Sequence, residues 1–161
     1  MEHIWAPWRI KYIEMPKPDK CILCEKAGET DDAANYLLYR AEQNFIILNS
    51  YPYNPGHIMV APYRHVAVLE ELEEGERNEH FALVCRATTV LKQVFRPAGF
   101  NIGINLGKIA GAGIDDHVHT HLVPRWQGDT NFMTVTADVR VLPEALASTY
   151  EKLKGRFQPP R

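Results

Sequence analysis

The sequence predicts an α+β fold in which one antiparallel sheet is covered by a long helix and a C-terminal helix. Three strand-like segments lie before residue 62 with only turns between them, a helical pattern covers about residues 70–95, and two strand-like segments follow it. Strands joined by short turns pair antiparallel, because a parallel pair needs a crossover of a dozen or more residues. No linker-like composition divides the chain, so we expect a single domain.

The composition is that of a globular chain. Its 161 residues are 45% hydrophobic and 24% charged, enough for one domain with a buried core. A formal net charge of −2 gives no broad basic surface, so we expect no specific nucleic acid as a partner, whereas a small anionic ligand is compatible. No apolar run approaches the roughly 20 residues of a membrane span, and the N-terminus lacks a signal-peptide pattern. We therefore expect a cytoplasmic protein without a membrane partner.

The N-terminal segment reads as an irregular arm that packs by its aromatic residues Trp5, Trp8 and Tyr12 and leads into a turn containing Cys21 and Cys24. This Cys-x-x-Cys spacing is that of half a zinc site. The chain has 3 cysteines, and an odd number argues against a disulfide framework. The third, Cys85, falls in an apolar helical pattern and is expected in the core.

Strands are predicted at residues 36–40, 45–49 and 57–61, and the turn-rich residues 50–56 join the last two into a β-meander. The long helix follows, ended by Pro97 and Gly99. Its expected apolar face is the set Phe81, Val84, Cys85, Thr88, Leu91 and Phe95, spaced three or four apart.

A half-buried strand is predicted next, because Phe100, Ile102, Ile104 and Leu106 alternate with polar residues and glycine. Residues 107–116 form a loop that leads into a last strand, residues 117–125. Pro143 is expected to open the final helix. Its apolar face is predicted to consist of Leu146, Tyr150 and Leu153, and Gly155 is expected to close it.

The last strand carries the most informative pattern in the chain, HVHTHLVPR. Residues two apart on a strand share a face, so His117, His119 and His121 should point the same way, with successive pairs about 7 Å apart. The outer two then lie about 13 Å apart, too far to share one metal ion in an intact strand. A row of imidazoles supplies nucleophile, acid and base near neutral pH, which suits phosphate chemistry.

This pattern resembles the signature of the histidine triad family, with Thr120 at a position that is often apolar. Asn49 to His57 and Pro62 resemble the family's upstream hairpin, so the resemblance covers roughly residues 21–125. It implies a HIT-like fold in a single domain, 1–161. Within it we expect an N-terminal arm with the Cys-x-x-Cys turn at 1–35, a catalytic core at 36–125 and a C-terminal extension at 126–161.

The resemblance also implies the catalytic residues. His119 is the expected nucleophile, forming a covalent nucleotidyl-histidine at the α-phosphate. His121 is expected to contact the phosphate as a histidinium and help the leaving group depart. His57 is expected to orient or polarise the site; a structural histidine that caps the hairpin is the alternative.

Substrate contacts are implied at Asn49 for the ribose and at Asn105 for phosphate, although turn-stabilising asparagines are the alternative for both. The loop between Asn105 and the triad contains Gly111 and Gly113, whose backbone can approach an oxyanion closely. Arg125 and Lys108 are candidates for phosphate neutralisation, with an exposed solvated charge as the alternative for Lys108. Gly113 and Ile114 stand where many family hydrolases carry Gln and Ser or Thr, which argues against simple phosphoramidate hydrolysis.

Resemblance to zinc-containing members adds His65 and His117 to Cys21 and Cys24. The four would form a closed Cys2His2 set, typical of structural zinc. Two reduced structural cysteines are the alternative. A zinc hydrolase that uses His117 to activate water is disfavoured, because a catalytic zinc keeps an open position. No organic cofactor is expected.

The resemblance extends to the branch of dinucleoside polyphosphate phosphorylases and hydrolases, through the loop and the following RWQGDTNFM. It implies cleavage of substrates such as diadenosine tetraphosphate, with phosphate or water as acceptor. A nucleoside phosphoramidate or adenylyl sulfate hydrolase is the alternative enzyme, and a non-catalytic nucleotide-binding regulator is the alternative of another class. Family members commonly pair through the long helix and a sheet edge, which implies a homodimer.

Overall fold

The computed structural model describes residues 20–130 and 144–158, and it contains a five-stranded antiparallel sheet. The strand order is β1-β2-β3-β5-β4, which confirms the α+β prediction. The strands are β1 (Leu37–Arg40), β2 (Asn44–Leu48), β3 (Ile58–Pro62), β4 (Gly99–Ile104) and β5 (Thr120–Arg125).

Within the described residues, three α-helices accompany the sheet: α1 (Ile22–Gly28), α2 (Glu74–Phe95) and α3 (Leu146–Leu153). The predicted long helix and C-terminal helix are α2 and α3, whereas α1 lies in the segment predicted to be an irregular arm. Short 3-10 turns occupy Leu69–Glu71 and Lys108–Ala110. The predicted roles of Trp5, Trp8, Tyr12 and Pro143 lie outside the described residues. None of the helices in the described part of the chain is long and apolar enough to span a membrane.

The core lies on both faces of the central strands, in which every residue of β2 and β3 is buried. Helices α2 and α3 cover one face, where Leu91 and Leu153 pack with Ile46 and Ile58. Helix α1 covers the other face through Leu23. Each fully buried aliphatic side chain of this kind contributes about 1.5–3 kcal/mol. The sheet is therefore a rigid support for residues at its edges and strand ends.

The predicted apolar face of α2 was wrong at two positions. Phe81 is 69% exposed and Cys85 is also exposed, while the helix buries two polar residues, Glu76 and His80. Glu76 accepts hydrogen bonds from Arg64 and from the Glu73 N–H. Because hydrogen bonds satisfy these polar residues, the helix can bury them. The buried face of α2 is therefore rotated by about one residue from the predicted face. It consists of Glu76, His80, Leu83, Val84, Ala87, Val90 and Leu91.

The histidine strand is shorter than predicted, because β5 begins at Thr120 and leaves His117 and His119 before it. In this preceding segment the Val118 N–H donates to the Val66 carbonyl at 2.7 Å, a bond to the loop after β3 instead of a ladder bond. The alternation of faces nevertheless continues. Thr120 and Leu122 face α2, and the three histidines face away from it.

Candidate active site and metal centre

Strand pairing brings His57 and His121 together. His57 immediately precedes β3, and His121 pairs in register with Met59 of the same strand. The His57 Nε2 and His121 Nδ1 atoms lie 2.9 Å apart. The His119 ring meets the His121 ring edge-on, with centroids 4.8 Å apart. The three residues predicted to carry the chemistry therefore form one cluster.

The hydrogen bonds fix where His57 and His121 carry their protons. The Tyr53 backbone N–H can only donate, so His57 Nδ1, at 3.1 Å, is the acceptor and the ring proton lies on Nε2. That Nε2–H points at His121 Nδ1, which must accept. In this arrangement His121 is therefore a neutral ring that presents an Nε2–H donor.

His119 is held in the opposite tautomer. Its Nδ1 lies 2.8 Å from the His117 carbonyl oxygen, which can only accept, so Nδ1 carries the proton and Nε2 carries the lone pair. Burial lowers the pKa of His119, although the bond to the carbonyl acts in the other direction. The ring is consequently a neutral imidazole with a nucleophilic Nε2 near neutral pH.

The turn before His57 is anchored by residues that the sequence reasoning missed. Asn54 donates to the Pro124 carbonyl and to Asp129, and Gly56 adopts a φ of +75° with Phe95 and Pro124 packed where a Cβ would stand. Arg125 forms a two-contact ion pair with Asp129 at 2.6 and 2.9 Å. The sequence signal for this ion pair was an acidic residue, Asp129, four positions after an arginine at the end of a predicted strand.

Arg125 is therefore largely charge-compensated. Its guanidinium holds the pKa of the Asp129 carboxyl well below the usual range, and it also donates to Asn101. Arg125, Asn105 and His121 line one cavity of about 330 Å³. The cavity is completed by Tyr53, Asn101, Ile102, Gly103, Val123 and Thr130.

Asn49 lies beside His57. Its Nδ2 approaches His57 Nε2 at 3.4 Å, and because both atoms carry hydrogen this is a contact rather than a hydrogen bond. Its Oδ1 accepts from the Tyr51 N–H at 2.8 Å, the turn-stabilising role that was the alternative.

The predicted phosphate loop lies between β4 and the histidine segment. Gly107 and Gly111 have positive φ values and flank the 3-10 turn, while Gly113 is exposed. Ile114 packs against the apolar cluster of Leu23, Ile47 and Met59.

The four predicted metal ligands also converge. Ligand atoms of Cys21, Cys24, His65 and His117 all lie within 4.8 Å of one another. Three sulfur-to-nitrogen distances equal 3.4 Å: Cys21 to His117, Cys24 to His65, and Cys24 to His117. In a zinc tetrahedron with normal bond lengths, sulfur and nitrogen lie about 3.5 Å apart, so this spacing fits.

The surroundings of His117 prepare it for a metal. Its Nε2 lies 2.9 Å from the Pro62 carbonyl, so Nε2 carries the proton and the Nδ1 lone pair faces both sulfurs. This is the outer hydrogen bond that metal-binding histidines usually make. Burial, followed by the charge of Cys21, raises the pKa of the Cys24 thiol to about 11, and a divalent cation would offset both effects.

Comparison with known proteins gives one family. The HIT domain model matches residues 30–128. The chain is 40% identical over 157 residues to a protein of Mycobacterium tuberculosis named AP-4-A phosphorylase, covering 92% of this chain and 80% of the relative. It is 33% identical over 129 residues to the Schizosaccharomyces pombe bis(5'-nucleosyl)-tetraphosphatase [asymmetrical], covering 77% of this chain and 70% of the relative.

Solved structures agree with this result. A Zn-bound histidine triad family protein from Mycobacterium smegmatis superposes with a TM-score of 0.67 at 25% identity. The match covers 86% of this chain and 93% of that structure.

Proposed function

Because the chain belongs to the HIT domain family, we propose that it is a nucleotide-processing enzyme that cleaves dinucleoside polyphosphates at the α-phosphate through His119. The observation that carries this proposal is the His119 Nδ1–H bond to the His117 carbonyl, which leaves Nε2 as a buried nucleophile. The relatives named AP-4-A phosphorylase and bis(5'-nucleosyl)-tetraphosphatase support the substrate class.

In the first half-reaction, His119 Nε2 attacks the α-phosphorus and the bond to the polyphosphate oxygen breaks. The oxygen leaves with the electron pair, and the His121 Nε2–H donates a hydrogen bond to it or to the phosphoryl oxygens. A terminal phosphate leaves as an anion and needs no proton. The amine of a phosphoramidate does need one, which a neutral His121 is poorly suited to give. The tautomers therefore favour polyphosphates over phosphoramidates.

In the second half-reaction, an acceptor oxygen attacks the phosphorus, the P–N bond breaks and the electron pair returns to His119 Nε2. Water must lose a proton in this step, whereas inorganic phosphate already carries an anionic oxygen. His121 Nε2 holds a proton and is not available as the base. We therefore propose phosphate as the preferred acceptor, so that diadenosine tetraphosphate yields ADP and ATP.

Substrate contacts are assigned by neighbourhood. Asn105 and Arg125 line the cavity beside His121, and Asn49 lies next to His57, so these three are proposed to bind substrate. Gly111 and Gly113 are proposed to offer backbone N–H groups to phosphate oxygens. With Arg125 paired to Asp129, neutral donors would provide much of the phosphate binding.

A structural zinc is proposed at Cys21, Cys24, His65 and His117, supported by the fit of the sulfur-to-nitrogen spacing and by the Zn-bound structural relative. Bound zinc would cross-link α1 and the segment that leads into β5 through its coordination bonds. A set of two cysteines and two histidines leaves no open position for water activation. The reduced thiols that this set needs support the cytoplasmic location expected from the sequence.

A homodimer is proposed from two features of the described surface. Strand β4 lies at the end of the sheet order, and it carries Ile102 at 47% exposure, close in sequence to Leu106 at 40%. Phe81 projects from α2. Unpaired edges and exposed apolar side chains are typical of interfaces. Light scattering should give twice the chain mass, and the mass of one chain would refute the dimer.

The test of the function is product analysis. The zinc-loaded protein is incubated with diadenosine tetraphosphate, with and without inorganic phosphate, beside the His119→Ala variant and a Lys92→Ala control at an exposed position of α2. Phosphate-dependent ADP plus ATP, lost only in His119→Ala, is the expected result. AMP plus ATP formed without phosphate would show that water is the acceptor and would contradict the proposed preference for phosphate. No cleavage in either buffer would refute the proposal and leave a nucleotide-binding regulator as the next candidate.

A further inference from the structure

His80 is a buried histidine outside the predicted site. It lies on α2 and is 8% exposed, and it approaches the histidine segment from the face opposite His119 and His121. Its two ring nitrogens bridge two strands. Nδ1 lies 2.9 Å from Asn44 Oδ1 on β2, and Nε2 lies 2.7 Å from Thr120 Oγ1 on β5.

The direction of each bond in this bridge follows from its far end. Asn44 Nδ2 donates to the Glu76 carbonyl at 3.1 Å and to the Glu79 carboxylate at 2.9 Å, so Asn44 Oδ1 is an acceptor. His80 must then donate from Nδ1. In the neutral ring Nε2 is left as the acceptor, so the Thr120 hydroxyl donates to His80. Burial, with a smaller effect of His119, lowers the pKa of His80 to about 4, consistent with a neutral ring.

Thr120 is the residue on which this chain of bonds acts. It lies between His119 and His121, is the first residue of β5, and pairs with Val60 on one side and Ile104 on the other. A valine would fit the same buried position without the cost of burying a hydroxyl. The threonine gives the strand a directional bond that apolar packing lacks.

We propose that His80 is a positioning residue for the reaction, holding the Thr120 hydroxyl and thereby the backbone from which His119 and His121 project. The inference rests on the proposed function. A misplacement of about 1 Å in a reacting group can cost on the order of 100-fold in rate, so loss of one such bond is measurable. Positioning should affect kcat more than KM, because the bridge does not reach the substrate cavity.

The kinetic test compares three variants. Thr120→Val removes the donor, and Thr120→Ser keeps it. Thr149→Val is the matched control, because Thr149 is also buried and its hydroxyl donates to Glu144 within the segment of α3, away from β5 in sequence. We expect kcat of Thr120→Val to fall about 10-fold or more with KM within about 3-fold. Thr120→Ser and Thr149→Val should both stay within about 2-fold of wild type. A wild-type kcat in Thr120→Val, with the same loss of thermal stability as Thr149→Val, would overturn the proposal.

A second readout separates this proposal from the proposed function. Nitrogen-15 NMR of the histidine rings should show His80 as the Nδ1–H tautomer, and Thr120→Val should shift the His119 and His121 ring signals while Thr149→Val leaves them unchanged. If wild-type protein cleaves no dinucleoside polyphosphate, the function fails but these shifts still report positioning. Unshifted His119 and His121 signals in Thr120→Val would overturn the proposal whatever the activity.

Discussion

His117 and His119 lie two residues apart in one chain segment, yet they carry their protons on opposite ring nitrogens. His117 donates from Nε2 to the Pro62 carbonyl and turns Nδ1 toward two cysteine sulfurs. His119 donates from Nδ1 to the His117 carbonyl and keeps its lone pair on Nε2. Backbone carbonyls thus assign one imidazole to the metal cluster and the next to the proposed attack on phosphorus.

His121 differs from both, because a side chain sets its tautomer. His57 Nε2–H points at His121 Nδ1, and His57 is itself fixed by the Tyr53 N–H. A row of similar histidines therefore has two ends with different chemistry. The metal-cluster end should determine stability, and the catalytic end should determine rate.

The largest expected effect is at the catalytic end. His119→Ala removes the nucleophile, so turnover of diadenosine tetraphosphate should fall about 10⁴-fold or more. The variant should bind one zinc per chain and melt within a few degrees of wild type. Product assays, metal analysis and calorimetry check this. Loss of zinc in His119→Ala would contradict the claim that the metal-cluster end and the catalytic end act independently.

The reverse pattern is expected at the metal cluster. Cys24→Ser removes one ligand and should lower the free energy of unfolding by about 3 kcal/mol or more, because metal-binding energy contributes directly to folding. Activity should follow the folded fraction in urea titrations. Ser50→Ala, a hydroxyl beside α1, is the control. A Cys24→Ser protein that is fully stable but inactive would instead make the metal catalytic.

A smaller effect is expected in the pH dependence of stability, through His80, which lies on α2 at the opposite face from the histidine row. Its folded-state pKa of about 4 lies below the ordinary value of 6.5, so the unfolded chain binds the proton first as pH falls. Stability from this group is present above pH 6.5 and decreases as pH falls toward 4, by up to about 3 kcal/mol. Urea unfolding of zinc-loaded His80→Gln should show a shallower decrease over that window than wild type. Equal slopes would contradict the buried neutral state.

The smallest effect is expected at His57. His57→Leu removes the donor to His121 Nδ1, which frees His121 to change tautomer, so kcat should fall about 10-fold with zinc content unchanged. His57→Gln offers an amide donor in the same place and should lose less. Steady-state kinetics of the two variants, with nitrogen-15 NMR of His121, measures this. A Gln variant as impaired as the Leu variant would show that the proton position is unimportant.

The fold was predictable where spacing is regular. The antiparallel sheet and both predicted helices followed from alternation and three-to-four-residue periodicity. The face of α2 was not predictable, because Phe81 is apolar but exposed while His80 is polar but buried. The burial of His80 depends on tertiary hydrogen bonds with Asn44 and Thr120, which the helical periodicity does not reveal.

The candidate site divides in the same way. Convergence of His57, His119 and His121, and of the four metal ligands, followed from motif resemblance. The tautomers did not, since they depend on carbonyls of Pro62 and His117 whose orientation no residue type encodes. The ion pair that offsets the charge of Arg125 was not predicted either, because it depends on how the turn after β5 places Asp129. Thr120, at a position often apolar in the family, was the one sequence signal for His80.

The most direct test of the account is the stereochemistry at the attacked phosphorus. The substrate is a single diastereomer of diadenosine tetraphosphate in which one sulfur replaces a non-bridging oxygen and makes that α-phosphorus a stereocentre. The zinc-loaded protein cleaves it in inorganic phosphate, and phosphorus NMR gives the configuration of the thio-substituted ADP. Attack by His119 followed by attack of phosphate gives two inversions, so the account predicts retention of configuration. Inversion would mean direct transfer without a nucleotidyl-histidine and would contradict it.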